Sequence, residues 1–296
     1  MQVYEKELKV RAEEVNAILD RYAPAGECPA VLKEAMVYSL QAGGKRIRPV
    51  LLLETARLCG GRRETAEVLA AALEMIHTYS LIHDDLPAMD DDTLRRGRPT
   101  NHVVYGEGMA VLAGDGLLSY AFELMLESIP YGTDEIVPYL RAVKRIAAAA
   151  GHNGMIAGQA MDLLSEGKEP DAEVLQYIHR HKTGAILSAS VLAAAIAAGA
   201  DERQLDALER YAAAIGLAFQ LADDVLDIRG DKGKVGKTIG KDQAAQKLTY
   251  PLVYGMDQTL AKLQELNVEA AESLASFGAE ARFLIETADF ICKRDY

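Results

Sequence analysis

Two clusters of aspartate contain the side chains best suited to chemistry. The first lies in residues 83–92, which read His-Asp-Asp-Leu-Pro-Ala-Met-Asp-Asp-Asp and follow an apolar stretch with helical periodicity. Pro87 cannot continue the hydrogen bonding of that helix, so we predict that the helix ends or kinks there. On an unbroken helix Asp84 and Asp90 would point about 240° apart. A break at Pro87 lets both carboxylates converge on one ion.

The second cluster, residues 223–227, reads Asp-Asp-Val-Leu-Asp. Asp223 and Asp227 share one face of a helix, and Asp224 lies beside them. Two unit charges about 4 Å apart cost about 4 kcal/mol at an effective dielectric of about 20, so this set needs counter-charges. Magnesium fits, because it is usually held by a few carboxylates together with substrate phosphates. Either cluster alone could instead be a solvated acidic face or a helix cap. The spacing of an EF-hand calcium loop is absent.

A basic motif that suits a diphosphate lies near the N-terminus. Residues 43–49 read Gly-Gly-Lys-Arg-Ile-Arg-Pro and separate two helical patterns. The glycines fit a helix end and Pro49 fits the first turn of the next helix. Lys45 and Arg48 therefore lie at a helix N-terminus, where an anion is already favoured. The alternative for this motif alone is a charged surface turn.

Further basic side chains surround the first aspartate cluster. Arg95 and Arg96 follow it within a few residues, and guanidinium forks match phosphate oxygens well. His77 precedes Asp84 by two helical turns and lies on the same face. The alternatives are that the acidic and basic runs neutralise each other and that His77 is an ordinary core histidine.

Three later segments also carry polar side chains with possible roles. Residues 182–184, Lys-Thr-Gly, interrupt an apolar helix, and Gln220 precedes Asp223 by three residues on nearly the same helical side. Residues 230–247 are rich in lysine and glycine. We interpret these lysines, Lys237 and Lys241 among them, as part of a lid that brings a lysine to a bound diphosphate. A mobile solvated loop is compatible with this interpretation.

The elements that position these residues are predicted to be helices almost throughout. Alanine, leucine, glutamate and lysine dominate, and apolar residues recur at spacings of three and four. No segment alternates in the manner of a strand for long. We therefore predict an all-α fold, a bundle of long helices around a central cavity, that forms one domain over residues 1–296.

The composition excludes several classes of protein. The net charge of −12 argues against general nucleic-acid binding, which requires a basic face. The three cysteines are widely spaced and show no CxxC pair, which argues against a disulfide framework or a zinc site. No apolar stretch has the length of a membrane span or a signal peptide. We expect a cytoplasmic protein.

Taken together, these motifs resemble those of the trans-isoprenyl diphosphate synthase family, and specifically of its bacterial-type members that make farnesyl diphosphate. The resemblance covers nearly the whole chain in the expected order. Its motifs are GGKRIRP at 43–49, EMIHTYSLIHDDLPAMDDDTLRRGRPTNH at 74–102, GQAMDL at 158–163, KTG at 182–184, FQLADDVLD at 219–227 and GKTIGKD at 236–242. It implies a magnesium-dependent transferase, usually a homodimer, that joins isopentenyl diphosphate to an allylic diphosphate and releases pyrophosphate.

The resemblance also implies roles for individual residues. The magnesium ligands would be Asp84, Asp85, Asp90, Asp223, Asp224 and Asp227. The isopentenyl diphosphate site would contain Lys45, Arg48, His77 and Arg96. The allylic diphosphate site would contain Arg95, Lys182 and Lys237, with Thr183 and Gln220 beside the reacting carbon. Lys182, Thr183 and Gln220 would support the allylic cation.

Product length is expected to depend on Tyr79 and Ser80, which precede Asp84 by about one helical turn. A large aromatic side chain at Tyr79 can close the floor below the metal site, as in farnesyl-length members that the sequence resembles. The alternatives are a geranylgeranyl diphosphate synthase, a terpene cyclase, an inactive subunit of a heteromeric synthase and a helical scaffold or metal-binding protein. A cyclase would not need the basic residues of the isopentenyl site.

Overall fold

A computed structural model describes residues 2–229 and 247–293 of the chain. Lys237 and Lys241, the two candidates for the lid lysine, lie outside these described residues. The all-α prediction is confirmed, because helices make up most of both described ranges. One domain over residues 1–296 stays a prediction.

Helices follow one another along both described ranges. They are α1 Gln2–Arg21, α2 Ala30–Leu40, α3 Ile47–Leu58, α4 Arg63–Asp84, α5 Asn101–Tyr105, α6 Glu107–Glu127, α7 Ile136–Ala150, α8 Met155–Ser165, α9 Ala172–Ile178, α10 Ala185–Ala197, α11 Glu202–Arg229, α12 Tyr250–Tyr254, α13 Met256–Ser273 and α14 Arg282–Lys293. A π-helical turn, His179–Gly184, joins α9 to α10, and a 3₁₀ helix, Ala275–Ala281, precedes α14.

Local sequence signals account for several helix boundaries. Pro49 lies in the first turn of α3, as predicted, because a proline there sacrifices no intrahelical hydrogen bond. At the start of α9 the Asp171 carboxylate accepts hydrogen bonds from the backbone N–H groups of Glu173 and Val174, which would otherwise have no partner. After α10 the backbone of Gly199 adopts a φ of +73°, a left-handed conformation that ends a helix at little cost in glycine.

The core is built around α4, α10 and α11. Helix α4 packs against α3 and α6, while α10 packs against α3, α7 and α11. Most residues of α10 are buried, and Ala193, Ala194 and Ala195 are each at most 1% exposed. A helix that is apolar on all sides belongs at the centre of a bundle. These helices therefore hold the aspartate-bearing ends of α4 and α11 on a rigid frame.

A short β-hairpin, which sequence reasoning missed, follows the first aspartate cluster. Strands β1, Leu94–Arg95, and β2, Arg98–Pro99, pair in antiparallel register. The two turn residues, Arg96 and Gly97, have φ values of +54° and +74°. A two-residue turn with positive φ at both positions has the twist that a hairpin requires.

Among the residues that the structure describes, one helix, α6, is long and apolar enough to cross a membrane by length and composition alone. The core helix of a soluble protein can pass the same test. In the structure α6 packs against α2 and α4, so its composition does not by itself indicate a membrane span.

Candidate active site

The first aspartate cluster folds back on itself at the end of α4. The helix ends at Asp84, which confirms the predicted break before Pro87. The backbone N–H of Asp90 then donates a hydrogen bond to the carbonyl oxygen of Asp84 at 2.9 Å, and the N–H of Asp92 donates to that of Asp85 at 3.2 Å. The turn therefore brings Asp90 back beside Asp84, as the interruption by proline predicts.

Neighbouring aspartates in this cluster have different surroundings. Asp85 is buried, and both of its oxygens accept hydrogen bonds from Nε of Arg95, at 2.7 and 2.9 Å. Burial raises the pKa of Asp84 to about 6, against a usual value of 3.8, while the Lys182 ammonium pulls it down and Asp90 adds to the rise. Asp84 is therefore a carboxylate whose charge is costly until a cation is supplied.

A chain of ion pairs crosses from α4 to α8 and to the π-helical turn. Lys247 Nζ lies 2.8 Å from Asp90 Oδ1 and 3.8 Å from Asp162 Oδ2. Lys182 Nζ donates to the same Asp162 oxygen at 2.6 Å. Burial alone would raise the pKa of Asp90, but the Lys247 ammonium more than offsets this effect and the pKa is lowered.

The close approach of α8 to the π-helical turn depends on Gly158. A Cβ atom at this position would lie 2.0 Å from the backbone nitrogen of Lys182, so only glycine fits. Isolated π-helical turns commonly occur at functional sites, because they disturb the regular helical hydrogen bonding. Here the turn contains Lys182 and Thr183 and directs both side chains toward neighbouring helices.

Thr183 and Gln220 contact each other, and the contact continues to the second aspartate cluster. Thr183 Oγ1 donates to Gln220 Oε1 at 2.8 Å, and Gln220 Nε2 donates to Asp224 Oδ1 at 3.0 Å. The other oxygen of Asp224 accepts the backbone N–H of Tyr250 at 2.8 Å. Asp224 is 2% exposed, whereas Asp223 and Asp227 are partly exposed on the adjoining face of α11.

Two of the residues expected to bind isopentenyl diphosphate, Arg48 and His77, contact each other. Arg48 Nη1 lies 3.2 Å from His77 Nε2. Burial and the guanidinium of Arg48 lower the pKa of His77 well below its usual value, so this ring is neutral and accepts from Arg48. Lys45 Nζ lies 5.0 Å from the centre of the Phe290 ring. Ser80 Oγ donates to the carbonyl oxygen of His77 at 2.9 Å.

Arg96 is held against the loop that carries Lys45. Its guanidinium donates to the carbonyl oxygen of Gly43. A Cβ atom at Gly44 would lie 2.6 Å from the Arg96 guanidinium carbon, and the φ of Gly44 is +114°. Glycine is therefore required at this position both for the backbone conformation and for the approach of Arg96.

Arg46 belongs to the same loop, but its side chain is buried inside the protein. It is 3% exposed, and its guanidinium contacts Glu74 Oε1 at 2.6 Å, the carbonyl oxygen of Leu40 at 2.7 Å and Asn16 Oδ1 at 3.0 Å. These bonds anchor the loop to α1 and α4, so that Lys45 and Arg48 on either side project from a fixed backbone.

The residues present fit a magnesium ion that is bound together with substrate phosphates. Within the described ranges no group of three His, Cys, Asp or Glu side chains is placed to hold a metal ion alone. Asp84 and Asp90 lie side by side, and the charge of Asp84 is costly without a cation. Because magnesium usually keeps only one or two carboxylates and completes its shell with phosphates and water, this donor set suits it.

Sequence reasoning missed Asp162 and Lys247 as members of this network. Asp162 lies in the quoted GQAMDL motif and is the acidic residue of an otherwise apolar α8, a signal that could have identified it. Lys247 was grouped with the other lysines of residues 230–247. Its pairing with Asp90, 157 residues earlier in the chain, depends on tertiary packing.

The all-helical fold and the two aspartate clusters with their basic neighbours define a transferase that acts on diphosphate esters. A family model described as polyprenyl synthetase matches residues 29–277, and the chain belongs to this family. It is a prenyltransferase.

Individual relatives agree with this assignment. The chain is 49% identical to a farnesyl diphosphate synthase of Geobacillus stearothermophilus, covering 99% of this chain and 98% of the relative. It is 47% identical to a geranylgeranyl diphosphate synthase of Cyanophora paradoxa, with 96% and 94% covered. A solved apo structure of an FPP/GFPP synthase from Zymomonas mobilis superposes with a TM-score of 0.86 at 36% identity, covering 99% of this chain and all of the other.

Proposed function

We propose that the protein joins isopentenyl diphosphate to dimethylallyl diphosphate and then to geranyl diphosphate, and that it stops at farnesyl diphosphate. The observation that supports the proposal is that two unlike clusters of polar and charged side chains lie along the C-terminal half of α4 and the turn that follows it. One contains carboxylates beside Lys182, and the other contains Arg48, Arg96 and a neutral His77. Two diphosphates that react with each other require two such sites.

In the proposed reaction the C–O bond of the allylic diphosphate breaks and pyrophosphate leaves with the electron pair. Asp84 and Asp90, together with Asp223 and Asp227, would hold magnesium, which when bound would supply the charge neutralisation that this departure needs. Lys182 and Arg95 add positive charge near the phosphate oxygens. Lys237 is assigned the same role, although it lies outside the described residues.

The carbon–carbon bond then forms between the allylic cation and the double bond of isopentenyl diphosphate. Oxygen atoms at the π-helical turn, including Thr183 Oγ1 and the side-chain carbonyl of Gln220, face developing positive charge. A proton leaves the new product, and the departed pyrophosphate accepts it, since His77 already accepts a hydrogen bond from Arg48. The site must exclude water, which would quench the cation.

Tyr79 is proposed to limit the product to fifteen carbons. Its side chain is 6% exposed, and its ring meets the His83 ring edge to face at a centroid distance of 5.7 Å. Burial, with a smaller contribution from the Asp84 charge, raises the pKa of Tyr79 to about 12. His83 is in turn packed against Gly114 of α6, where a Cβ atom would lie 2.1 Å from Nε2. The ring of His83 therefore links Tyr79 to α6.

Product analysis tests the reaction and the floor together. The purified chain is incubated with labelled isopentenyl diphosphate and dimethylallyl diphosphate, with magnesium or a chelator, and the product lengths are resolved. We expect a magnesium-dependent fifteen-carbon product from the parent and longer products from Tyr79→Ala. A twenty-carbon product from the parent would support the geranylgeranyl alternative, and cyclised products would support a cyclase. No condensation would support an inactive subunit.

A second copy of this chain is the proposed partner. Eleven of the eighteen exposed large hydrophobic side chains among the described residues lie between positions 103 and 164. They include Val111 and Leu112 of α6 and Leu163 and Leu164 of α8. This concentration of exposed apolar side chains in one part of the chain supports an interaction surface there. Light scattering should show a dimer that Leu112→Glu converts to monomer, and a monomeric parent would contradict the proposal. We propose that this dimer is cytoplasmic.

A further inference from the structure

We propose that Asp224 is a positioning residue that sets the direction of the hydrogen bonds from Thr183 through Gln220, and that it is not a metal ligand. The inference rests on the proposed function, in which Thr183 and Gln220 lie beside the reacting carbon. It replaces the ligand role that the sequence alone assigned to Asp224.

Both oxygens of the Asp224 carboxylate are engaged by neighbouring groups. Oδ1 accepts from Gln220 Nε2 at 3.0 Å and Oδ2 accepts from the backbone of Tyr250 at 2.8 Å. His179 Nε2 lies 3.5 Å from Oδ2, and both of these side chains are only 3% exposed. Three elements of the fold thus meet at this carboxylate: α11, the π-helical turn and the start of α12.

The direction of the hydrogen bonds from Thr183 through Gln220 to Asp224 follows from which groups can donate and which can only accept. A carboxylate only accepts hydrogen bonds, so Gln220 must turn its NH₂ group toward Asp224 and its carbonyl oxygen toward Thr183. The Thr183 hydroxyl must then donate its proton to Gln220 Oε1, which it does at 2.8 Å. With its proton engaged, the Thr183 oxygen can offer only lone pairs to any other neighbour. An allylic cation beside it is therefore met by an acceptor.

Asp224→Asn is expected to reverse these hydrogen bonds while changing the shape of the side chain very little. The asparagine oxygen can still accept from Tyr250, but its NH₂ group then faces Gln220 and favours the reversed amide. Gln220 would donate to Thr183, and the hydroxyl proton would be free to point at the cation. We expect kcat to fall about 10- to 100-fold, less than for loss of a direct stabiliser. Both KM values and the magnesium concentration for half-maximal rate should change less than about threefold, since no substrate or metal contact is lost.

The double variant Asp224→Asn/Gln220→Glu is expected to restore the original direction of the hydrogen bond at Thr183. The asparagine introduced at position 224 would donate to the carboxylate introduced at position 220, and that carboxylate accepts from Thr183. The original direction at Thr183 therefore returns, and the total charge is unchanged. We expect the double variant to regain at least tenfold over Asp224→Asn. Gln220→Glu alone, with two carboxylates facing each other, should be less active than the double variant. Asp206→Asn, exposed on the same helix, is the control that should match the parent.

Steady-state kinetics across these variants, with circular dichroism and melting temperatures, decide the question. Asp223→Asn serves as the ligand comparison and should raise the magnesium requirement. A magnesium requirement raised more than about tenfold by Asp224→Asn, or a double variant no better than the single one, would overturn the proposal. If Asp224→Asn does not fold, the double variant is judged against Gln220→Glu, and equal or lower activity is the negative result. A parent that condenses nothing would instead refute the proposed function.

Discussion

Two regions of the candidate site differ in charge, and we expect them to bind anions in opposite ways. The allylic side contains three carboxylates, of Asp84, Asp90 and Asp162, and two ammonium groups, of Lys182 and Lys247. Ion pairs join Asp90 and Asp162 to the two lysines. The isopentenyl side, formed by Lys45, Arg48, His77 and Arg96, is basic, and its histidine is neutral. We therefore expect a diphosphate to bind directly to the second region and to bind to the first only after cations are added.

This difference has a chemical reason in the proposed reaction. Only the allylic diphosphate must leave, so only its charge has to be stabilised more strongly in the transition state than in the ground state. The diphosphate of isopentenyl diphosphate stays intact and needs uniform binding, for which fixed guanidinium groups suffice. Metal dependence should therefore be confined to one side of the site.

The largest effect is expected from Asp84→Asn. Asparagine keeps the size of the side chain but removes the charge that would hold a metal ion, so kcat should fall by about 10²- to 10³-fold or more. Asp91→Asn is the matched control, because Asp91 is exposed in the same turn and its φ of +48° is well tolerated by asparagine. Turnover measurements compare the two variants. If both lose activity equally, Asp84 has no role that Asp91 lacks.

Removal of magnesium should separate the two sides. In the presence of a chelator, we expect binding of an unreactive thio-analogue of the allylic diphosphate to weaken at least about 100-fold, since repulsion between unit charges about 4 Å apart costs about 4 kcal/mol. Binding of isopentenyl diphosphate should change less than about threefold, because its site holds fixed cations. Calorimetric titration of each ligand provides the measurement. An equal loss for both would show that the isopentenyl side also depends on metal.

Gly44→Ala should affect the isopentenyl side alone. The new methyl group would lie within 3 Å of the Arg96 guanidinium and displace it, so KM for isopentenyl diphosphate should rise about tenfold, the value of one hydrogen bond to a charged group. KM for the allylic substrate should stay within about twofold of the parent.

The control for this substitution is Gly43→Ala. Its φ of +81° imposes similar backbone strain, but a Cβ atom there would have no neighbour within 4 Å. If Gly43→Ala raises the same KM as much as Gly44→Ala does, strain in the loop rather than displacement of Arg96 is responsible.

Local features of the site could be predicted from the sequence, while contacts between distant segments could not. The helix break at Pro87, the place of Pro49 in α3 and the turn at Lys182 all follow from proline chemistry or helical periodicity. The meeting of Thr183 with Gln220 came from the family resemblance. Periodicity places Asp224 on a helix beside Asp223, but does not by itself show that one carboxylate is buried and the other partly exposed.

The remaining features depend on packing between elements. The contact of Lys247 with Asp90 and that of Arg46 with Glu74 join segments whose separation in the chain has no periodic signal. The hairpin turn at Arg96 was overlooked because both strands are two residues long, too short for alternation to be recognised. The dipeptide Arg96–Gly97 was the available signal, since glycine favours such turns.

The effect of Asp84→Asn on stability is expected to have the opposite sign to its effect on activity. Because burial raises the folded pKa of Asp84 from 3.8 to about 6, the folded state binds the proton more tightly than the unfolded chain does. Without metal, Asp84 therefore makes the parent less stable as the pH rises from about 4 to above 6.

At a pH of about 7.5 Asp84→Asn should be more stable than the parent by about 2 to 3 kcal/mol. Below about pH 4, where Asp84 is protonated in both states, this difference should vanish. Urea denaturation of both proteins in the presence of a chelator, across this pH range, measures it. A variant that is less stable than the parent at the upper end of this range would show that Asp84 is already compensated by cations within the fold, and that the allylic side needs its metal for catalysis alone.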